Sequence, residues 1–131
     1  MKSDLQLHHC AQQITRGSLD FVLELFEQLG CRVSYREEGA TWAMVEQEGL
    51  RFDIQFIERD REPMALELKR ESHVAFISSD PKREMERIEK WIESQGKTCM
   101  ADSWSDKEYY FDCPEVFVDF VIEVMHRSVV E

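Results

Sequence analysis

The chain has 131 residues, of which 27 are acidic and 16 basic, so its formal net charge is −11 at pH 7. This negative field would repel phosphates, and no basic stripe offsets it, so we expect no nucleic-acid partner. No apolar run approaches the ~20 residues of a membrane-spanning helix, so we expect no membrane partner. The length predicts a single domain, residues 1–131, and the absence of an apolar stretch after the first residues predicts a cytoplasmic location.

The cysteines form no close pair and no Cys-x-x-Cys motif, which gives little support to a zinc-finger or redox site. In a reducing compartment we expect all of them to be free thiols. They are Cys10, Cys31, Cys99 and Cys113.

The first half of the chain reads as a strand, a helix and three further strands. Alternation over residues 5–14 predicts a strand that carries His9 on one face and His8 on the opposite face. Apolar residues at helical spacing predict a helix over residues 19–30, with Ser18 as its N-terminal cap. Turn residues then separate three predicted strands, over residues 31–36, 41–47 and 50–57.

The second half repeats this order after a charged connection over residues 58–71. Within the connection, residues 64–68 fit either a short strand or a helical turn. Asp80 followed by Pro81 predicts a helix start. Pro114 could open a helix near the end, but alignment with the first half favours a strand there. The predicted strands of this half cover residues 73–78, 97–101, 108–112 and 116–125.

The two halves are related by an internal repeat. His9 in Leu-His-His-Cys-Ala falls on His73 in Ser-His-Val-Ala-Phe at an offset of 64 residues (73 − 9). Gln55 falls on Asp119 at the same offset (119 − 55). A repeat of this length indicates a duplicated unit. The modules cover about residues 5–58 and 72–125.

Two βαβββ modules in tandem, each opening on a strand with a histidine, resemble the vicinal oxygen chelate superfamily. That group includes glyoxalase I, extradiol dioxygenases, and fosfomycin- and bleomycin-resistance proteins. The resemblance covers roughly residues 5–125. It implies an α+β fold in which the tandem modules form a curved mixed sheet around a cup, with the helices outside.

The resemblance also implies a set of metal ligands, because metal-dependent members bind the ion through the first and last strands of each module. Glu123 lies four residues after Asp119 on the same predicted strand face and is the alternative for the last position. The turn before that strand, from Asp112 to Val116, departs from the Asp-Pro-Asp-Gly pattern of the family. The implied ligands of a divalent ion (Ni, Zn, Mn or Fe) are His9, Gln55, His73 and Asp119.

Two functions remain open for a protein of this kind acting on a small molecule. The first is a metal-dependent lyase, isomerase or dioxygenase with its ion on the cup floor, in which Asp119 or Glu123 acts as general base. The second is a metal-free binding protein of the bleomycin-resistance type, whose acidic cleft captures a cationic molecule. Trp42 and Tyr110 are the candidate ligand-binding aromatics. Exposed strand edges and the resemblance together predict a homodimer.

Overall fold

A computed structural model describes residues 3–131 and shows two four-stranded mixed sheets with α-helices packed against them. The first module contains β1 (His9–Thr15), α1 (Leu19–Gln28), β2 (Arg32–Arg36), β3 (Trp42–Glu46) and β4 (Asp53–Arg59). The short helix α2 (Leu66–Lys69) leads to the second module. That module contains β5 (His73–Ser78), α3 (Pro81–Ser94), β6 (Met100–Ser103), β7 (Glu108–Asp112) and β8 (Val121–His126), and a 3-10 helix (Arg127–Val129) follows. The predicted α+β fold of tandem βαβββ modules is confirmed.

The two sheets have the same strand order. The first runs β1-β4-β3-β2 and the second β5-β8-β7-β6. In each sheet the first and last strands of the module pair in parallel, and the other neighbours pair antiparallel. No helix within residues 3–131 is long and apolar enough to cross a membrane.

The predicted last strand, residues 116–125, is wrong at its start. Strand β8 begins at Val121, and the residues before it form a turn against the outer edge of β1. There the Thr15 N–H donates to the Val116 carbonyl at 2.9 Å, and the Val118 N–H donates to the Gln13 carbonyl at 3.0 Å. These turn residues are apolar because they are buried between the modules. Their pattern therefore resembles that of a strand, although they belong to a turn.

Helix α1 begins at Leu19 as predicted, but its N-terminal cap differs from the prediction. The Ser18 hydroxyl donates to the Thr15 carbonyl at 2.6 Å, so Ser18 does not cap the helix. The buried Glu58 carboxylate, at the end of β4, accepts the Leu19 N–H at 3.0 Å instead. A carboxylate at this position satisfies a free helix N–H and stabilises the positive end of the helix dipole. The predicted start of α3 is confirmed, since the Asp80 carboxylate accepts from the third helical residue.

Aromatic side chains from both modules share one core. The rings of Phe26 and Phe56 in the first module lie 4.5 Å apart, and Phe56 lies 6.0 Å from Phe120. Phe120 in turn stacks on Phe117 at 4.4 Å, and all of these side chains are fully buried. Because this core fills the helix side of the first sheet, its opposite face is left free to form a site.

The connection between the modules is fixed by a buried lysine. Residues 66–69 form a short helix, which decides between the two interpretations of this segment. The Lys69 ammonium lies 2.9 Å from the Asp112 carboxylate and donates to the Phe117 carbonyl at 2.7 Å. Burial raises the pKa of Asp112, and the hydrogen bond and charge of Lys69 oppose that rise. Lys69 thus ties the connection both to β7 and to the turn before β8.

Candidate functional site

The free face of the first sheet forms an open cavity. Residues that pair across β3 and β4, such as Met44 with Gln55, project from the same side of the sheet. The extended residues before β1 approach the same face. The cavity has a volume of about 690 Å³, which is within the usual range for small-molecule sites. Its lining includes Leu7, His8, Tyr35, Glu37, Trp42, Met44, Glu46, Arg51 and Asp53.

Two stacked aromatic rings form one wall of this cavity. The rings of Tyr35 and Trp42 lie 5.4 Å apart with an interplanar angle of 21°. The Tyr35 hydroxyl donates to the Glu37 carboxylate at 2.5 Å. That hydrogen bond, helped by burial and the charge of Glu37, raises the pKa of Tyr35. The wall therefore offers a broad aromatic surface beside a carboxylate, which suits a flat molecule with positive charge.

Carboxylates outnumber cations in the lining of the cavity. Glu37, Glu46 and Asp53 contribute three acidic groups, and Arg51 is the basic residue that faces them. Glu46 is paired with Arg32 outside the cavity at 3.0 Å. Asp53 accepts a hydrogen bond from a serine hydroxyl at 2.6 Å but has no cationic partner among the ion pairs of the described residues. The cavity is therefore acidic, in agreement with the overall charge.

The matching face of the second sheet has Glu123 at its centre. Glu123 pairs with Ala75 of β5 on one side and with Tyr110 of β7 on the other. It is only 6% exposed, and its burial raises its pKa. The charge of His73 opposes this rise, and that of Glu108 adds to it. Glu123 is thus a carboxyl group that can hold or release a proton closer to neutrality than an exposed glutamate.

His73 lies beside this carboxylate in a fixed orientation. Its Nδ1 atom lies 3.2 Å from the carbonyl of Arg70, which can only accept, so Nδ1 carries the hydrogen. Its Nε2 atom then faces the Glu123 carboxylate at 3.9 Å. Trp104 covers the pair, with its ring 5.4 Å from His73 and 4.4 Å from Tyr110.

Strand register identifies Glu123 as the counterpart of Gln55. In the first module Gln55 is opposite Ala11, and in the second Glu123 is opposite Ala75. The offset is therefore 68 residues (123 − 55), in contrast to 64 for the first strands. The alignment of Gln55 with Asp119 is wrong, because four additional residues precede β8. Ile-Gln-Phe-Ile around Gln55 and Ile-Glu-Val-Met around Glu123 were the signal for the correct alignment.

Asp119 has a different place. It precedes β8, and its carboxylate accepts the Gln13 N–H at 3.0 Å. This bond satisfies a donor on the outer edge of β1, next to the bonds from the turn before β8. The structure does not place Asp119 in the strand opposite His73, where it was predicted.

The implied metal ligands are divided between the two sheets. His9 begins β1 and Gln55 lies in β4, while His73 is in the second module with Glu123. Within residues 3–131, no group of three or more His, Cys, Asp or Glu side chains could hold a metal ion. Of the implied ligands and the alternative Glu123, a single chain brings together one pair, His73 and Glu123.

The prediction that His8 points away from the cup is also wrong. His8 precedes β1, so the alternation of the strand does not extend to it, and it lines the cavity with Asp53. Of the two predicted ligand-binding aromatics, Trp42 lines the cavity and Tyr110 lies at the centre of the second face. Tyr35 was not singled out from the sequence. The signal for it was an aromatic residue within a predicted strand, now β2.

Comparisons with known proteins identify solved structures of the same architecture. A protein assigned to the glyoxalase family from Bacillus anthracis has a TM-score of 0.57 and 17% identity, covering 96% of this chain and 98% of that chain. Fosfomycin resistance protein FosX from Mesorhizobium loti has a TM-score of 0.57 and 12% identity, covering 95% and 93%. TnmS3, an antibiotic-binding protein from a Streptomyces species, has a TM-score of 0.57 and 11% identity, covering 96% and 98%. No protein-family model and no curated protein sequence matches the chain.

Proposed function

Since the chain has the vicinal oxygen chelate fold, we propose that it binds a small, flat, positively charged molecule in the cavity of its first module. The observation that carries this proposal is the stacked pair of Tyr35 and Trp42 among three carboxylates. A cation over an aromatic face gains about 0.5–2 kcal/mol, and more when it is desolvated. Asp53, which has no cationic partner, would neutralise the ligand. Binding of an antibiotic by TnmS3 is one role that this fold carries elsewhere.

The test compares a planar cation with a planar anion. Proflavine and anilinonaphthalene sulfonate are titrated separately into the protein, and binding is followed by dye fluorescence. We expect proflavine to bind more tightly than the anion, and its binding to weaken as salt is added, because the carboxylates are exposed or partly exposed to solvent. Trp42→Ala should weaken proflavine binding by about tenfold, which corresponds to about 1.4 kcal/mol of lost stacking. Trp104→Ala, which removes an exposed tryptophan ring of the second module, is the control and should change little.

Two results would contradict the binding proposal. Equal affinity for the two dyes would show that the acidic lining does not select charge. Equal affinity of wild type and Trp42→Ala would show that the ligand does not contact the aromatic wall.

The second candidate is a divalent-metal enzyme, and the contact between His73 and Glu123 favours it. Two ligands of one tetrahedral ion, with bonds of about 2.0–2.2 Å, lie about 3.3–3.6 Å apart. The separation of 3.9 Å between His73 Nε2 and the Glu123 carboxylate is a few tenths of an ångström longer, so a small side-chain shift would let them share an ion. The carbonyl of Arg70 holds the ring of His73 in the tautomer that a ligand needs. Nickel, zinc, manganese or ferrous ion would there polarise the oxygens of a substrate. Of the two candidate general bases, Glu123 lies beside His73 and Asp119 does not, so Glu123 would serve as the base when it is released from the ion.

Metal stabilisation distinguishes the two carboxylates. In thermal melting with each of the four ions, Glu123→Gln and His73→Ala should lose any rise in Tm that the wild type shows. Asp119→Asn should retain it, because Asp119 binds the backbone of β1. Loss of the metal effect in Asp119→Asn but not in Glu123→Gln would refute the register-based assignment.

A homodimer would complete this metal site. The remaining implied ligands, His9 and Gln55, lie on the cup face of the first module, which a second copy could present to the second module. Exposed apolar side chains at one end of the first module, Leu7, Leu50 and Phe52, are available for such a contact. Light scattering at low micromolar concentration should return twice the single-chain mass of 15.6 kDa. A mass of 15.6 kDa would refute the dimer.

A further inference from the structure

The consecutive residues His8 and His9 have their side chains turned toward each other. Their Nδ1 atoms lie 3.0 Å apart, and the two ring planes are nearly perpendicular, at 88°. Neighbouring residues inside a strand project to opposite faces. His8 lies before the start of β1, and its carbonyl accepts the Asp53 N–H at 2.9 Å, so its side chain reaches the side on which His9 projects. Both side chains are exposed, so no core packing forces this contact.

Two ring nitrogens at this distance have two ways to interact. Two neutral imidazoles can share one proton, with one ring as donor and the other as acceptor. Alternatively, both rings keep an unprotonated Nδ1, and both lone pairs face one cation. Copper and nickel sites are square-planar or tetragonal, with adjacent ligands near 90°, and bonds of about 2.0–2.1 Å then place two ligand nitrogens about 2.8–3.0 Å apart. The separation of 3.0 Å fits two adjacent ligands of one ion.

The surroundings of the histidine pair favour a cation. His8 lines the acidic cavity, and His9 is directly opposite Asp53 in the parallel register of β1 and β4. The Asp53 carboxylate has a serine hydroxyl as its hydrogen-bond donor and no cationic partner among the described ion pairs. Negative charge in a concave surface raises the local concentration of cations.

We propose that His8 and His9 chelate one borderline divalent cation, of the Cu²⁺ or Ni²⁺ class, at the rim of the cavity. Imidazole nitrogen suits these ions, and two neutral rings supply it here. Both protein ligands come from one short stretch of chain, so the site is complete in a monomer and leaves coordination positions open toward the cavity. The site that would join the two modules needs His9 and His73 but not His8, so His8 distinguishes the two arrangements.

The experiment is calorimetric titration of the full chain, without a histidine tag, with nickel chloride and with zinc chloride. We expect one nickel ion per chain to depend on His8 and His9, with zinc bound more weakly, in addition to any ion that His73 and Glu123 share. His8→Ala and His9→Ala should each weaken binding by at least about tenfold, because the second ligand of a chelate binds at high effective concentration. His73→Ala should retain the ion that depends on His8 and His9, and can lose only an ion shared by His73 and Glu123. His126→Ala is the matched control, since His126 is a histidine engaged with Ser128 and outside the cavity lining.

Every other pattern overturns the proposal. Loss of binding in His9→Ala and His73→Ala, with His8→Ala unchanged, would show a metal site that joins the modules. Equal affinity in all variants, or no heat of binding at millimolar metal, would show that the two rings only share a proton. Circular dichroism of each variant checks that the fold is retained, which the exposure of both histidines leads us to expect. The dye titrations in the absence of metal test the cavity separately, so the two proposals can fail independently.

Discussion

Replacing Lys69 by methionine should destabilise the protein far more than loss of a surface charge. The Lys69 side chain is 1% exposed, and its ammonium contacts the Asp112 carboxylate at 2.9 Å and the Phe117 carbonyl at 2.7 Å. Methionine keeps most of the apolar stem and the volume, so the change removes mainly the charge and the donor. The carboxylate, only 2% exposed, is then left without a cation.

The size of the effect follows from this burial. Breaking a buried ion pair by removing one partner costs about 3–5 kcal/mol, whereas removing an exposed pair costs about 0–1 kcal/mol. Arg36→Ala, which removes the exposed contact with Asp20 at 2.6 Å, is the matched surface control. Burial already raises the pKa of Asp112, so in Lys69→Met the carboxyl group takes up a proton as the pH falls. The variant should therefore recover part of its stability in mild acid, because the protonated carboxyl carries no charge.

Urea unfolding, followed by tryptophan fluorescence, measures these differences as shifts of the midpoint. The double variant Lys69→Met/Asp112→Asn should be more stable than Lys69→Met alone, because the unpaired buried charge has been removed. If Lys69→Met lowers the free energy of unfolding by less than about 1 kcal/mol, the loss is in the range of exposed ion pairs. That result would mean that water reaches the Asp112 carboxylate. A double variant no more stable than the single one would show that the carboxylate is not the source of the loss.

Three further predictions concern other described contacts. Glu58→Ala should lower the free energy of unfolding by about 1–2 kcal/mol through loss of the acceptor for the Leu19 N–H, as measured in urea. For Glu123 the folded pKa lies above the ordinary 4.5, so wild-type stability should fall as pH rises from that value through the raised pKa. Glu123→Gln should remove this fall in melts across the pH range. Exposed Cys10 should react first with a thiol reagent at pH 8, because burial raises the pKa of Cys99 to about 12, and Cys10→Ser should abolish that fast phase.

The duplication could be read from the sequence because its first strands are marked by unusual residues. A histidine two residues before an alanine begins both β1 and β5, so the offset of 64 residues was correct there. Helix α3 was equally clear, since Asp80 and Pro81 have local reasons to start a helix. Elements with a local chemical signal were thus predicted correctly.

The last strand could not be placed because burial rather than alternation sets its sequence. Val116, Phe117 and Val118 are apolar because they pack between the modules, yet they precede a polar residue in the same pattern as β4. What distinguishes this turn is its hydrogen-bond partner. It bonds to the outer edge of β1 and not to the strands of the second sheet. Because the strand was aligned wrongly, the residue equivalent to Gln55 was predicted to be Asp119, whereas the structure shows that it is Glu123.

The face of the sheet on which Tyr35 lies could not be predicted either, because it depends on a strand irregularity that has no sequence pattern. The register of β2 and β3 shifts between Val33 and Tyr35, so simple alternation does not apply across Ser34. The shift pairs Tyr35 with Met44 and brings its ring onto Trp42. Trp42 was predicted to line the cup, but its stacking partner required the observed register.

The turn that covers the outer edge of β1 has a consequence for how the chain reaches its native state. The contact between Gln13 and Asp119 joins residues 106 positions apart, so the first strand made during synthesis is among the last to be completed. Until then β1 presents a free strand edge, which is a template for pairing with other chains. Contacts of such long sequence separation slow folding, because loop closure precedes any gain from the contact. A nascent or truncated chain that ends before residue 116 should therefore be prone to aggregation, although its first module contains a complete sheet and helix.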